Sequence, residues 1–126
     1  TDNNIGMAGI CWNCKIMAVK VLDSDTQGIT VDLADGITYA AENDADVLSM
    51  SLGGYPPSSL LKNAVDYAYS QGAVLVAAAG NGATNEKFYP ATFDNVIAVA
   101  ATNYKDIKID ASNYGSWVDV AAPGWD

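Results

Sequence analysis

The stretch Ala73-Val-Leu-Val-Ala-Ala-Ala-Gly-Asn-Gly82 predicts the fold. An uncharged, apolar run bounded by glycine is typical of a strand that is buried on both faces in the centre of a parallel sheet. Ligands of such sheets bind just beyond the carboxyl ends of the strands. The pattern therefore predicts that Asn81 lies at the functional edge of the sheet.

On both sides of this stretch the chain alternates between strand and helix patterns. No hairpin signature separates the strands, which favours crossover connections and a parallel sheet. We therefore expect one α/β domain over residues 1–126, with a three-layer parallel sheet and flanking helices. In chain order, the other predicted elements are strand 15–22, helix 30–42, strand 47–52, a helix that begins at 56–59 and ends at Gly72, strand 95–101 and strand 117–121.

Each predicted helix has a stripe of apolar side chains at three- and four-residue spacing, which predicts packing against the sheet. Thr30 is the expected N-cap of the first helix. The stripe of the first helix consists of Val31, Ala34, Ile37, Ala40 and Ala41, and that of the second consists of Leu61, Ala64, Val65 and Ala68.

The composition limits the classes of partner. Six basic and fifteen acidic residues give a net charge of −9, which argues against nucleic acid or an anionic membrane as the main partner. No apolar run approaches the ~20 residues that span a bilayer. We expect a secreted protein with no membrane span. The chain lacks an initiator Met, so we also expect it to be a piece of a longer protein.

Cys11 and Cys14 are the two cysteines of the chain. Their spacing is compatible with a local disulfide, with free thiols, or with a redox or metal site. A structural zinc site needs four ligands, and the chain has no His and no other Cys. A local disulfide is the favoured interpretation in an oxidising compartment.

Three strand ends are candidate functional loops, namely residues 23–28, 51–54 and 80–82. Each could be an ordinary turn between a strand and a helix. The glycines of the third loop begin a dinucleotide-binding pattern, but Asn85 stands where its third glycine belongs. Asp23 and Asp25 are spaced as in aspartyl phosphatases of the haloacid dehalogenase type, but Gln27 departs from their pattern. In a parallel sheet, all three loops could line a single cleft.

Seven motifs follow one another along essentially the whole chain. They are Lys20-Val-Leu22, Gly36-Ile-Thr-Tyr-Ala40, Met50-Ser-Leu-Gly-Gly54, Val76-Ala-Ala-Ala-Gly-Asn81, Tyr89-Pro-Ala91, Val96-Ile-Ala-Val-Ala100 and Asp119-Val-Ala-Ala-Pro-Gly124. In their order and spacing, these motifs resemble the central part of a subtilisin-like serine protease of the thermitase-type branch.

The resemblance implies roles for matching positions. Asn81 corresponds to the oxyanion-hole asparagine, whose amide donates a hydrogen bond to the oxygen that becomes negative in the tetrahedral intermediate. Ser51-Leu52-Gly53 and Thr26-Gln27-Gly28 correspond to two strands that hold an extended peptide substrate by main-chain hydrogen bonds. Ala78-Ala79-Gly80 corresponds to a wall of the first specificity pocket. Phe88 corresponds to the floor of that pocket, where a phenyl group would favour small residues such as Ala.

The sequence also departs from the family pattern. The His, Asp and Ser motifs of the catalytic triad are absent, and the chain contains no His. We therefore expect this chain to be the central, substrate-binding part of a secreted serine endopeptidase that acts through an acyl-enzyme, and to be inactive alone. The alternative is a non-catalytic module of the same fold, either a pseudoprotease or a structural domain of a larger surface protein.

The resemblance further implies calcium as a cofactor. Asn3 corresponds to a side-chain ligand, and Ile5 and Met7 to carbonyl ligands, of a loop that wraps the ion. Calcium takes 6–8 oxygen ligands, so these residues would form only a partial site with low occupancy. A second, weaker site would use the carbonyls of Ala91, Phe93 and Val96. We also expect a homodimer through apolar surfaces left uncovered in so short a chain.

Overall fold

The computed structural model describes residues 9–125 and has a parallel four-stranded sheet with two helices. The strand order is β1-β2-β3-β4, and all three strand pairs are parallel. The predicted parallel α/β architecture with flanking helices is therefore confirmed. The elements are α1 (Thr30–Glu42), β1 (Val47–Met50), α2 (Ser59–Ser70), β2 (Val74–Ala78), β3 (Val96–Asn103) and β4 (Val120–Trp125).

The hydrophobic core lies between the helices and one face of the sheet. Leu48, Leu75 and Val96 are neighbours in register across β1, β2 and β3, and all three are buried in the core that the helices form. The opposite face is more open, since Val74 and Ile97 are 46% and 39% exposed. The expectation that β2 is buried on both faces is therefore wrong for the described residues, where the helices cover one face.

The first helix differs from the prediction at its beginning. Ile29 is the N-cap residue of α1 and makes no side-chain capping bond, so the assignment of Thr30 as N-cap is wrong by one residue. Val31 is 48% exposed and does not belong to the buried stripe. The other four predicted core positions, Ala34, Ile37, Ala40 and Ala41, are buried.

The second helix follows the predicted pattern closely. Its buried residues are Leu61, Ala64, Val65 and Ala68, as the periodicity predicts. The Ser58 hydroxyl accepts a hydrogen bond from the Leu61 amide at 3.4 Å, which satisfies one of the free amides at the helix start. Gly72, just beyond the C-cap, has φ +93°, a conformation that glycine adopts without strain.

The prediction of a strand at Lys15–Leu22 is wrong. The segment has no assigned secondary structure, and Ile16 is 93% exposed. A strand requires a hydrogen-bonded neighbour, and β1 pairs with β2 alone among the strands of residues 9–125. Val19 packs against the core, so the segment contacts the fold through side chains.

The last strand begins later than predicted, at Val120 rather than Trp117. Asp119, just before β4, pairs with β3 through its side chain as well as its main chain. Its amide donates to Ala98 O at 3.1 Å, and its carboxylate accepts from the Ala98 amide at 2.8 Å. Pro123 is within β4, at the edge of the sheet, where a residue without an amide hydrogen is tolerated. The helices described between residues 9 and 125 are all too short or too polar to cross a membrane.

Candidate functional site

Two grooves share Ser51 at the carboxyl end of β1. The first groove, of about 410 Å³, is lined by residues that include Thr26–Gly28 and Ser51–Gly53. The second, of about 280 Å³, is lined by Ser51 together with residues that include Ala78–Asn81. Three loops that are distant in sequence thus meet at one edge of the sheet, as expected for parallel strands.

The loop before α1 is held by its own first residue. Asp23 Oδ1 accepts hydrogen bonds from the amides of Asp25 and Gln27, both at 2.9 Å. The Asp23 amide donates to Gln27 O at 2.8 Å, and Thr26 has φ +60°. These local bonds form a closed turn that presents Thr26–Gly28 along the first groove.

The segment after β1 is paired with a second chain segment. The Gly54 amide donates to Tyr89 O at 2.8 Å, and the Tyr89 amide donates to Gly54 O at 3.1 Å. This antiparallel bridge lies beside the contact between Gly53 and Phe88. The main-chain groups of Ser51–Gly53 form no bond with another strand in residues 9–125, so this edge is open to a ligand.

Phe88 lies against one glycine of each groove, although it is not part of the lining of either groove. A Cβ on Gly53 would lie 2.5 Å from Phe88 Cε1, and a Cβ on Gly80 would lie 3.0 Å from Phe88 Cδ1. Glycine at both positions thus makes room for the ring. The ring is half-buried, and Tyr55 packs against it edge-on with centroids 5.2 Å apart.

Asn81 is exposed to solvent just beyond the end of β2. The preceding Gly80 has φ +96°, which turns the chain away from the strand direction. The side chain of Asn81 is therefore accessible to a ligand in the second groove.

One residue of this edge was missed by sequence reasoning. Asn113 is fully buried, and its side chain makes hydrogen bonds to the loop that carries Asn81. The residues Ser112-Asn113-Tyr114-Gly115 indicate a turn, but no sequence signal gives the burial of the amide. This contact spans about thirty residues of sequence, so only the fold reveals it.

The described residues offer few ligands for a metal ion. Within residues 9–125, no group of three or more His, Cys, Asp or Glu side chains could hold one. Phe93 O, a carbonyl of the second predicted calcium site, already accepts from the Val96 amide at 3.3 Å. Asn3, Ile5 and Met7 lie outside the described residues.

Cys11 and Cys14 are joined by a disulfide, with their Cα atoms 5.4 Å apart. Both cysteines are exposed. Trp12, between them, donates from Nε1 to Gly9 O at 3.0 Å, a bond that ties the loop to the residues before it.

The fold is that of an α/β protein with two grooves at the carboxyl ends of parallel strands. The chain belongs to the subtilase family, whose model matches residues 1–126. The resemblance stated from the sequence is therefore confirmed.

Individual relatives agree with this assignment. The chain is 50% identical to thermitase of Thermoactinomyces vulgaris over 98% of its own length and 44% of that protein. It is 48% identical to a thermophilic serine proteinase of Bacillus sp. (strain AK1) over 100% of its own length and 31% of that protein. The chain thus spans less than half the length of these curated relatives.

A solved structure is also similar. A protease from Pseudoalteromonas arctica PAMC 21717 superposes with a TM-score of 0.74 and 42% identity, over 77% of this chain and 32% of that one.

Proposed function

We propose that this chain is the substrate-binding and oxyanion-hole part of a secreted, subtilisin-like serine endopeptidase that cleaves extended peptides through an acyl-enzyme. The observation that carries the proposal is the position of Asn81, which is exposed at the carboxyl end of β2 in a groove that also contains Ser51. Family membership gives the serine protease class. The net charge of −9 and the disulfide favour secretion.

Asn81 would donate a hydrogen bond from its side-chain amide to the carbonyl oxygen of the scissile peptide. As a nucleophile attacks, that oxygen acquires negative charge, and a donor fixed in advance stabilises it without reorganisation. The chain contains neither a His nor the family's motif around the nucleophilic Ser, so the general base and the nucleophile would come from elsewhere in the full-length enzyme. We expect the 126-residue chain alone to be inactive.

The peptide would bind as an added strand. Thr26–Gly28 and Ser51–Gly53 both line the first groove. The main-chain groups of Ser51–Gly53 could pair with an extended ligand. In the other segment, the Thr26 amide and both main-chain groups of Gln27 are bonded to Asp23, so Thr26 O and the main-chain groups of Gly28 would do so. Main-chain recognition accepts many sequences, so a protein or peptide substrate is the expected partner. Side-chain preference would then be set by the second groove, which Ser51 and Ala78–Asn81 line.

Phe88 would set that preference by limiting the depth of the pocket. Its ring lies against Gly53 and Gly80, between the peptide-binding strand and the pocket wall Ala78–Gly80. We expect the full-length enzyme to cleave faster after Ala than after Phe, and Phe88→Gly to reverse that order in kcat/KM. Faster cleavage after Phe or Leu by the unmodified enzyme would contradict the assignment.

The main test is Asn81→Ala in the full-length enzyme, assayed with a chromogenic peptide. In subtilisin, the reference case, removing one oxyanion donor lowers kcat by about 10²–10³, and that magnitude is adopted for Asn81. KM should change little, since the bond forms fully only in the transition state. Asn85→Ala is the matched control, because Asn85 is exposed in the same loop and lies outside the second groove. Equal activity of the Asn81 and Asn85 variants would refute the role.

Calcium is proposed as a stabilising ion of the full-length enzyme, with Asn3, Ile5 and Met7 as part of its site. A ligand that binds the native state alone must raise the melting temperature. Calcium should therefore raise it in the full-length enzyme, and Asn3→Ala should reduce the increase. An increase that is unchanged in Asn3→Ala would place the ion elsewhere.

Self-association is proposed for the 126-residue chain, through the sheet face that the helices leave open. Val74, Ile97 and Val120 are between 39% and 49% exposed on the strands. Light scattering should give the mass of a dimer for this chain, and a monomer at high concentration would contradict the proposal.

A further inference from the structure

Asn113 binds the two peptide groups that adjoin Asn81. The main-chain amide of Asn113 donates to Gly80 O at 2.9 Å, and the side-chain Oδ1 of Asn113 accepts from the Gly82 amide at 2.8 Å. Gly80 O belongs to the peptide group before the Asn81 Cα, and the Gly82 amide belongs to the one after it. A single residue therefore fixes both peptide planes on either side of Asn81, and with them its φ and ψ.

The rest of the Asn113 side chain is also occupied. Nδ2 donates to Ala79 O at 2.8 Å and to the Tyr55 hydroxyl at 3.5 Å, while Oδ1 accepts a second bond from the Thr84 amide at 3.3 Å. Asn113 is 0% exposed, and its bond to Ala79 O is buried, whereas the bonds to Gly82, Thr84 and Tyr55 are partly buried. Only an amide supplies both the acceptor for two amides and the donor for a carbonyl at this position.

The two glycines beside Asn81 allow the Asn113 side chain to approach the loop closely. A Cβ on Gly80 would lie 2.7 Å from Asn113 Nδ2, and a Cβ on Gly82 would lie 3.2 Å from Asn113 Oδ1. The Gly-Asn-Gly pattern therefore lets the loop wrap around a buried amide. It is more than a turn signal.

Two residues near Asn113 also form hydrogen bonds with the loop that carries Asn81. The Ala83 amide donates to Ala111 O at 2.9 Å, and the Tyr114 amide donates to Thr84 O at 3.0 Å. The loop 79–84 is thus bound along its length by the segment 111–114, in which Asn113 is the residue that contacts both sides of Asn81.

We infer that Asn113 is the positioning residue of the oxyanion hole, which holds the Asn81 backbone so that its exposed amide is directed at the substrate. This inference rests on the proposed role of Asn81. A donor contributes most when its position is fixed before the reaction, and a displacement of about 1 Å can lower a rate about 10²-fold. Asn113 itself, being buried, acts through Asn81.

The test is a double-mutant cycle in the full-length enzyme. Asn113→Ala should lower kcat about 10- to 100-fold and leave KM within about threefold. In an Asn81→Ala background, the same substitution should change kcat by less than about twofold, because the donor that it positions is gone. An equal loss of kcat in both backgrounds would overturn the inference. If Asn81→Ala alone has no effect, the proposed function fails instead.

Inhibitor binding separates positioning from a general loss of structure. A peptide boronic acid forms a tetrahedral adduct, so its affinity should fall with kcat in Asn113→Ala, whereas the affinity of an uncleaved product peptide should be unchanged. Asn43→Ala is the matched control, since the Asn43 amide donates to Tyr39 O at the end of α1, away from both grooves. An equal loss of affinity for both ligands would overturn the positioning role.

A measurement on the unmodified enzyme covers the case in which Asn113→Ala does not fold. Gly82 is exposed, yet its amide is bound to Asn113 Oδ1. Its hydrogen exchange should therefore be slow and should become no slower when the boronic acid binds. Unprotected exchange of the Gly82 amide in the free enzyme would show that the loop is not held, and would overturn the inference.

Discussion

The strand β2 and the segment Lys15–Leu22 have similar compositions and different surroundings. Both are rich in β-forming, apolar residues, and both lead into a loop that lines one of the two grooves. β2 is paired on both sides and covered by helices on one face. Lys15–Leu22 has no strand partner in residues 9–125 and is largely exposed. A β-forming composition therefore gives a strand only where neighbours supply the hydrogen bonds.

The loops that follow these two regions differ in the same way. The loop after β2 is bound by residues 111–114, about thirty positions further along the chain. The loop after Leu22 is closed by bonds between Asp23 and residues up to Gln27. One loop depends on tertiary structure and the other on local bonds.

Core burial gives the largest expected difference between the two regions. Leu75→Ala in β2 should lower the free energy of unfolding by about 2–5 kcal/mol, because Leu75 is 1% exposed and its loss leaves a cavity. Ile16→Ala is the matched change in the other region and should cost less than about 0.5 kcal/mol. Urea unfolding of the full-length protein measures both. Equal losses would mean that Ile16 packs against residues outside 9–125.

The contact between Lys15–Leu22 and α1 gives the second largest expected change in the free energy of unfolding. A Cβ on Gly36 would overlap Val21 Cγ1 and lie 3.2 Å from Val19 Cγ1. Gly36→Ala should therefore lower the free energy of unfolding by about 1–3 kcal/mol, although alanine is the better helix former. Asp35→Ala, at an exposed position of α1, is the control and should change it little. Stabilisation by Gly36→Ala would show that the segment does not lie on the helix.

Reduction of the disulfide that precedes the exposed segment should change the stability less than either of these substitutions. A loop as short as Cys11–Cys14 contributes about 2 kcal/mol or less through chain entropy. A reductant should therefore lower the melting temperature by a few degrees. A variant with both cysteines replaced by serine should not respond. An equal response of that variant would assign the effect to something other than the disulfide.

Loss of the local turn at Asp23 should give the smallest change in the free energy of unfolding. Asp23→Ala removes the acceptor for two exposed amides and should cost about 0.5–1.5 kcal/mol. KM should rise while kcat is kept, because the role proposed for Thr26–Gly28 is to bind peptide and not to stabilise the oxyanion. Asp25→Ala is the control in the same loop, since the Asp25 carboxylate caps no amide there. A loss of kcat in Asp23→Ala would contradict this division of roles.

Patterns that depend on near neighbours in sequence were predicted well. The buried stripe of α2, its end at Gly72 and the edge position of Asn81 follow from periodicity, glycine and the parallel sheet. Predictions that depend on which surfaces meet were less accurate. Val31 fits the periodicity of α1 but is exposed, because the core contacts the helix on a narrower face than the sequence pattern covers.

The sequence alone therefore determined the α/β class, the family and the loops at the carboxyl edge, because these depend on local composition and on motifs in a fixed order. Only the tertiary structure decided that Lys15–Leu22 has no strand partner in residues 9–125, and that Asn113 is buried against Gly80 and Gly82. The physical reason is the same in both cases. Hydrogen bonds between segments distant in sequence depend on which backbone groups the fold brings together.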